Sequence, residues 1–313
     1  MRPKRIVLAL GGNTLGRTLP EQRAAARDLA ASLGELLQGE SQLVVVHGTG
    51  PQVGMLQQAM DALTREDPGY PPTPLAVCTA MSQGYLGGTL QDALREELRR
   101  RGSGRTVTTL LTQVEVDPSD PAFQHPSKPI GAFLSREAAA VLESQGVPVM
   151  EDAGRGWRRA VPSPQPRRLV ELETVRLLME AGQVVIAGGG GGIPVRAAED
   201  GSLQTVDAVV DKDFVAGLLA RDLDADLLLI LTAVEKVAIH FGKPNQRWLT
   251  HMTLPVAEEY IAQGQFAEGS MLPKVQAAVR FGRSKPGRQT LITLPGKVSE
   301  ALRGQTGTLI GSP

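Results

Sequence analysis

Three lysines stand out by the way the chain delivers them. Lys128 lies in Pro126-Ser-Lys-Pro-Ile-Gly131, flanked by prolines that restrict its backbone. Lys212 sits in Asp211-Lys-Asp213 after the apolar Ala208-Val-Val210, where a helix is expected to begin. Lys274 follows Gly269-Ser-Met-Leu-Pro273, again at an expected helix start. Any one of them alone reads as a solvated surface lysine. Together, on rigid or glycine-rich approaches, they suit an anionic ligand.

Glycine turns supply the second half of such a site. Gly11-Gly12-Asn13, Gly48-Thr49-Gly50 and glycines 188–192 each follow a short apolar run. Glycine lets backbone come close to a phosphate and adopt the positive φ of an anion nest. Helix N-termini beyond such turns add unsatisfied amides and a partial positive charge. One Gly-Gly turn can be no more than a tight turn; three at strand ends, one of them five glycines long, point to a bound phosphate.

Cations around a cradled phosphate are what phosphoryl transfer needs, because the protein does little covalent chemistry in that reaction. A nucleotide-bound Mg²⁺ would keep its waters and be held mainly by substrate phosphates, so no dedicated protein metal site is expected. Asp207, Asp211 and Asp213 could orient the lysines or the hydrated metal. They could equally be an acidic helix start favoured by the dipole.

Other chemistries find little support. No Gly-x-x-x-x-Gly-Lys-[Ser/Thr] loop occurs, and the dinucleotide fingerprint fails at both candidate turns: its third glycine falls late at Gly54, and Ile193 stands where the other would need one. His47, His125, His240 and His251 show no paired metal-ligand spacing, and His47 reads as structural. A serine-hydrolase elbow is missing. Cys78 is the single cysteine, so neither an internal disulfide nor a cysteine metal cluster can form, and a reducing, cytoplasmic setting is expected.

The elements that must position these groups alternate between strand and helix. Apolar runs at 6–10, 43–46, 106–111, 184–187 and 227–231 read as strands, most of them buried on both faces. Helices are expected over about 21–37 and 81–100, with Pro51 opening another and Ser135 capping one that ends at Gly146. Such alternation implies an α/β fold with a mainly parallel sheet covered on both faces. Between about 117 and 166 eight prolines break the pattern. That stretch is expected to form a small protruding lid subdomain on a single domain of residues 1–313.

Bulk composition fits this picture. The chain has 313 residues, 42% hydrophobic and 21% charged, with Lys+Arg and Asp+Glu both 33. A net-neutral chain lacks the basic footprint of a nucleic-acid binder. Its basic start, Met1-Arg-Pro-Lys-Arg5, precedes an apolar run too short for a signal sequence or a membrane span.

Several segments resemble carbamate kinase, of the amino acid kinase family, in order and spacing across nearly the whole chain. They are Ala9-Leu-Gly-Gly-Asn13, Gly50-Pro-Gln-Val-Gly54, Gln83-Gly-Tyr85, Pro126-Ser-Lys-Pro-Ile-Gly131, Gly156-Trp-Arg-Arg159 with Val161-Pro-Ser-Pro164, and the stretches 188–195, 208–213, 231–237 and 269–275. The resemblance implies an α/β/α sandwich, a homodimer, and the reversible reaction ADP + carbamoyl phosphate to ATP + carbamate with Mg²⁺. It implies that Gly11, Gly12, Asn13, Gly48, Thr49, Gly50, Lys128 and Lys212 surround the transferred phosphoryl group. Gly189, Gly190, Lys212, Met271 and Lys274 would face the nucleotide, and Asp207 and Asp213 would organise the lysines. In this family ATP synthesis typically serves arginine fermentation or breakdown of purine-derived carbamoyl compounds.

Two positions depart from the family pattern: Thr49 where Asn is usual, and Leu272 where Gly is usual. Leu272 is expected to have an extended backbone ahead of Pro273, with its side chain turned away from the phosphates. Two alternatives stay open. One is a kinase of acylated amino acid carboxylates, against which the compact lid with Lys128 argues; the other, which Thr49 and Leu272 support, is a homologue that binds nucleotide in a regulatory role without turnover.

Overall fold

The computed structural model describes residues 4–16, 18–152, 154 and 156–311. β1 (Arg5–Leu10) runs into a 3-10 turn (Gly12–Leu15), and helices α1 (Leu19–Ser32) and α2 (Gly34–Gln38) lead to β2 (Gln42–His47). Helices α3 (Gly50–Glu66) and α4 (Leu75–Arg100) follow, then β3 (Val107–Thr109) and β4 (Gln113–Val116). The next stretch carries β5 (Lys128–Leu134), α5 (Arg136–Ser144), β6 (Val149–Glu151) and β7 (Trp157–Val161). The chain returns through β8 (Pro166–Leu169), α6 (Leu172–Glu180), β9 (Val184–Ile186), a second 3-10 turn (Gly189–Gly191), β10 (Ile193–Ala197) and β11 (Leu203–Thr205). Its last third holds α7 (Lys212–Asp222), β12 (Leu227–Leu231), the hairpin β13 (Val237–Ile239) and β14 (Arg247–Leu249), and β15 (His251–Met252). It closes with α8 (Leu254–Ala262), α9 (Met271–Ser284), β16 (Gln289–Thr293), α10 (Val298–Leu302) and β17 (Thr308–Ile310).

Eight strands make the central sheet, in the order β15-β17-β16-β12-β1-β2-β9-β3. Every pairing in it is parallel except β16 with β17. Burial follows the two-residue period of the strands. In β1, Val7 and Ala9 join a core shared with α6, α7, α8 and α9, while Ile6, Leu8 and Leu10 join one shared with α1, α2, α4 and α10. β2 and β12 divide the same way. The result is a three-layer α/β/α sandwich, and the ends of β1, β2 and β9 that carry the glycine turns share one rim with the end of β12.

The stretch 117–166 carries a small sheet of its own. Its three-stranded sheet, β5-β7-β6, and α5 lie within 128–161, while β4 and β8 at its flanks belong to a four-stranded sheet β11-β10-β4-β8. Ile130 and Val161 pack on Val53 of α3, Leu75 and Cys78 of α4, and Val209.

Three expected boundaries move. The helix expected over 21–37 is two, parted at Leu33, and the second opens on Gly34, where a Cβ would stand 1.9 Å from the Arg101 Nη2. α4 begins six residues before Met81, where Asp207 Oδ1 accepts the Leu75 amide at 3.0 Å. The strand expected at 106–111 shortens to β3.

Candidate active site

The three glycine turns meet. Gly11 N donates to Leu231 O at 3.3 Å, and Gly48 N donates to Leu10 O at 2.8 Å, which fixes the first two turns to the ends of neighbouring strands. Gln52, buried in the first turn of α3, donates from Nε2 to Gly16 O at 3.2 Å and so ties the second turn to the first. Gln83 of α4 holds the third: its Nε2 donates to Gly189 O at 2.9 Å and Thr112 O at 3.1 Å, and its Oε1 accepts Thr112 N at 2.9 Å.

Packing explains why the third turn is all glycine. A Cβ on Gly189 would stand 2.6 Å from His47 Nε2, one on Gly190 2.4 Å from Thr49 Oγ1, and one on Gly191 1.9 Å from Val210 O. Gly188, Gly190, Gly191 and Gly192 all have positive φ. The turn is buried, so the room its missing side chains leave is filled by protein, and what it can offer a ligand is its amide edges. Thr49, 2% exposed, stands at the N-cap of α3, yet its hydroxyl makes no cap bond and faces Gly190 instead. The head of that 17-residue helix therefore keeps its amides for another partner.

Val210, pressed on Gly191, leads directly into α7, whose head gathers the lysines. Asp211 caps α7, its Oδ1 accepting the Asp213 amide at 2.8 Å. Its Oδ2 takes the Lys128 ammonium from β5. Asp213 holds Lys212 through Oδ1 at 2.5 Å and Lys274 through Oδ2 at 3.1 Å. Lys274 also donates to Ser270 O at 3.0 Å, one turn back in α9. Two carboxylates thus organise three ammonium groups, leaving one positive charge in excess at a helix N-terminus.

Burial sharpens this electrostatic balance. Burial alone would raise the Asp213 carboxyl, but Lys212 and Lys274 hold it far below the usual carboxylate range. Asp211 is likewise pulled down against its burial, chiefly by Lys128. Burial pushes the Lys212 ammonium down, against the pull of Asp213 and with the neighbouring charge of Lys274 adding to it. Lys274 shows the opposite balance: Asp213 and Asp211 outweigh its burial and raise it. A phosphoryl dianion at this spot would relieve the crowding between Lys212 and Lys274.

Other expected residues fall variously. Asp207 turns to the Leu75 amide, and the contacts to the lysines come from Asp211 and Asp213, which corrects the pair implied by resemblance. Gly12 and Asn13 lie in the first 3-10 turn; the Asn13 side chain lies outside what the structure describes. Met271 begins α9 and packs against the core. Leu272 is helical, not extended as expected, and its side chain packs on the same core; its φ is not positive, so glycine is not required there.

Gln52 and Gln83 carry no chemistry and escape a search for chemical groups, although both lie in segments that resemble the family, Gly50-Pro-Gln-Val-Gly54 and Gln83-Gly-Tyr85. Among the described residues no group of three His, Cys, Asp or Glu side chains could hold a metal ion. Nor is any helix long and apolar enough to cross a membrane.

Comparison with known proteins converges on one family. The family model for the amino acid kinase family matches residues 4–293. The chain is 52% identical to the carbamate kinase-like protein YqeA of Escherichia coli, over 98% of this chain and 99% of that one. It is 45% identical to carbamate kinase of Staphylococcus epidermidis over the same shares of both chains. Among solved structures, carbamate kinase from Giardia lamblia bound to AMP-PNP superimposes with a TM-score of 0.88 at 36% identity, covering 99% of each chain.

Proposed function

The chain belongs to the amino acid kinase family, and on that premise we propose that it is a carbamate kinase, catalysing ADP + carbamoyl phosphate to ATP + carbamate reversibly. One observation carries this reading: Asp211 and Asp213 bring Lys128, Lys212 and Lys274 to the head of one helix beside three joined glycine turns. Charge spread over the oxygens of a moving phosphoryl group is stabilised by cations already in place. Gly11, Gly12, Asn13, Gly48, Thr49 and Gly50 would hold the carbamoyl phosphate end. Gly189, Gly190, Met271 and Lys274 would face the nucleotide, and Lys128 and Lys212 would flank the group in flight.

The donor set suits a magnesium ion that arrives on the nucleotide, as part of the substrate. Asp211 and Asp213 commit their oxygens to lysines and an amide, so the phosphates and water would supply the ion's ligands. The ion would add positive charge between the nucleotide phosphates. Within this reading the excursion at 128–161 acts as a lid over a small acceptor. A homodimer in the cytoplasm, serving arginine breakdown, completes the proposal; the single buried Cys78 accords with a reducing setting.

Nothing in the geometry favours a regulator without turnover, because all three lysines are in place. The test is ATP formation from ADP and carbamoyl phosphate, with and without Mg²⁺, and with N-acetylglutamate plus ATP as the competing pair. Magnesium-dependent ATP formation is expected. Binding of ADP with no ATP formed would overturn the reading in favour of a regulator, and turnover of N-acetylglutamate alone would move it to another acceptor.

A further inference from the structure

Asp211 does two jobs with one carboxylate. Its Oδ1 is fixed by the Asp213 amide at 2.8 Å, which sets the direction of Oδ2. Onto Oδ2 comes Lys128, from a strand 83 residues earlier in the chain. Further attachments of the excursion to the body are apolar or backbone: Ile130 and Val161 on Val53, Leu75, Cys78 and Val209, and Gly131 against Gly54. Those contacts are indifferent to ligand charge. The Lys128–Asp211 pair is not.

We propose that Asp211 is a positioning residue that tethers the lid before substrate arrives, holding Lys128 beside the head of α7 until the phosphoryl group takes the lysine over. Identifying the displacing anion rests on the kinase reading; the tether itself does not. Lys128 keeps about a fifth of its side chain exposed, so a ligand can reach it. A phosphoryl group carries more charge than a carboxylate and offers three oxygens, so it competes well for one ammonium. The exchange is a swap of acceptors with no bond made or broken. Because the lysine is already ordered, the cost of immobilising it is met before binding, which is the usual advantage of preorganisation.

Hydrogen–deuterium exchange on the full chain tests this without turnover. Asp211→Asn and Asp211→Ser each keep an oxygen that can accept the Asp213 amide, but neither offers a charge to Lys128. In both, amides of residues 128–161 should exchange roughly fivefold faster than in the parent, as for loss of one partly exposed ion pair. Amides in the first turn of α7 should keep their parent rates. Millimolar inorganic phosphate should slow lid exchange in the variants and change it little in the parent.

Unaltered lid exchange in both variants would overturn the tether. So would α7 and the lid loosening in step, since that is what loss of a helix cap alone would do. Lid exchange in the variants that ignores phosphate would overturn the handover. None of these outcomes bears on whether ATP is formed, so the kinase reading stands or falls by its own assay.

Discussion

Gly54 of α3 meets Gly131 of β5 backbone to backbone: a Cβ on Gly54 would lie 2.0 Å from the Gly131 Cα. Gly131, with φ of +77°, could not carry a side chain without strain either. This contact seats the excursion on the body beside Val53 and Ile130. Gly54→Ala should therefore lift that seat and cost at least about 2 kcal/mol in denaturant unfolding. Gly84→Ala in the neighbouring α4, where a Cβ would meet nothing within 4 Å, should instead gain up to about 1 kcal/mol from helix propensity. Equal effects, or the reverse order, would contradict the contact.

For the chemistry, Lys212→Ala and Lys128→Ala should each lose on the order of 10²-fold or more in turnover while ADP affinity changes far less. Lys274→Ala should show its main effect in ADP affinity, since Lys274 stands on the nucleotide side of Asp213 in the proposed reading. Steady-state rates with calorimetric ADP titration separate the two effects. Turnover preserved in both Lys128→Ala and Lys212→Ala would sink the site assignment.

Protonation makes a separate prediction. His47 is wholly buried against Gly189, neither ring nitrogen has a partner in bonding geometry among the described residues, and burial lowers its pKa from 6.5 to about 4, with the Gly48 backbone tempering the drop. Between those two pH values the unfolded chain binds a proton that the folded chain refuses. Stability is therefore whole above pH 6.5 and falls as pH drops toward 4, by on the order of 3 kcal/mol over the window. Asp211 and Asp213 are held low in the fold, so their contribution is full above the ordinary carboxylate range and fades only below about pH 4. Urea unfolding at pH 7 and pH 5 should show a smaller loss for His47→Gln than for the parent. Identical losses would clear His47 of the effect.

Leu272 offers a test of whether its side chain blocks the nucleotide. Packed on the core beside Met271, it should lose about 2–4 kcal/mol of stability on Leu272→Gly, part cavity and part helix propensity. ADP titration of the parent should already give heat. Heat only from the glycine variant would mean that leucine fills the site.

The sheet was legible because its strands are buried on both faces, so residues 6–10 and 227–231 read as unbroken apolar runs. The strands of the excursion were not: β6 has three residues, β5 opens on Lys128, β7 carries Arg158 and Arg159, and β5 finds its partner β7 only beyond α5 and β6. Lys128 and Lys274 stand out through the prolines and glycines around them, and Lys212 through its place between Asp211 and Asp213 after an apolar run. Which carboxylate serves which lysine was not legible, since Asp211 and Asp213 are two residues apart and Lys128 reaches Asp211 only through the fold. The start of α4 escaped because its first amide is satisfied by Asp207, 132 residues downstream. Local sequence carries no trace of such a cap.

A turn walled at almost every Cα also constrains how this protein can vary. In a saturation library, positions 189, 190 and 191 should tolerate no substitution at all, because even alanine would collide with His47, Thr49 or Val210. Variants with altered substrate choice would then have to arise one layer out, where Thr49 faces Gly190 and His47 faces Gly189. Selection for a new acceptor would act on the walls and leave the cradle untouched.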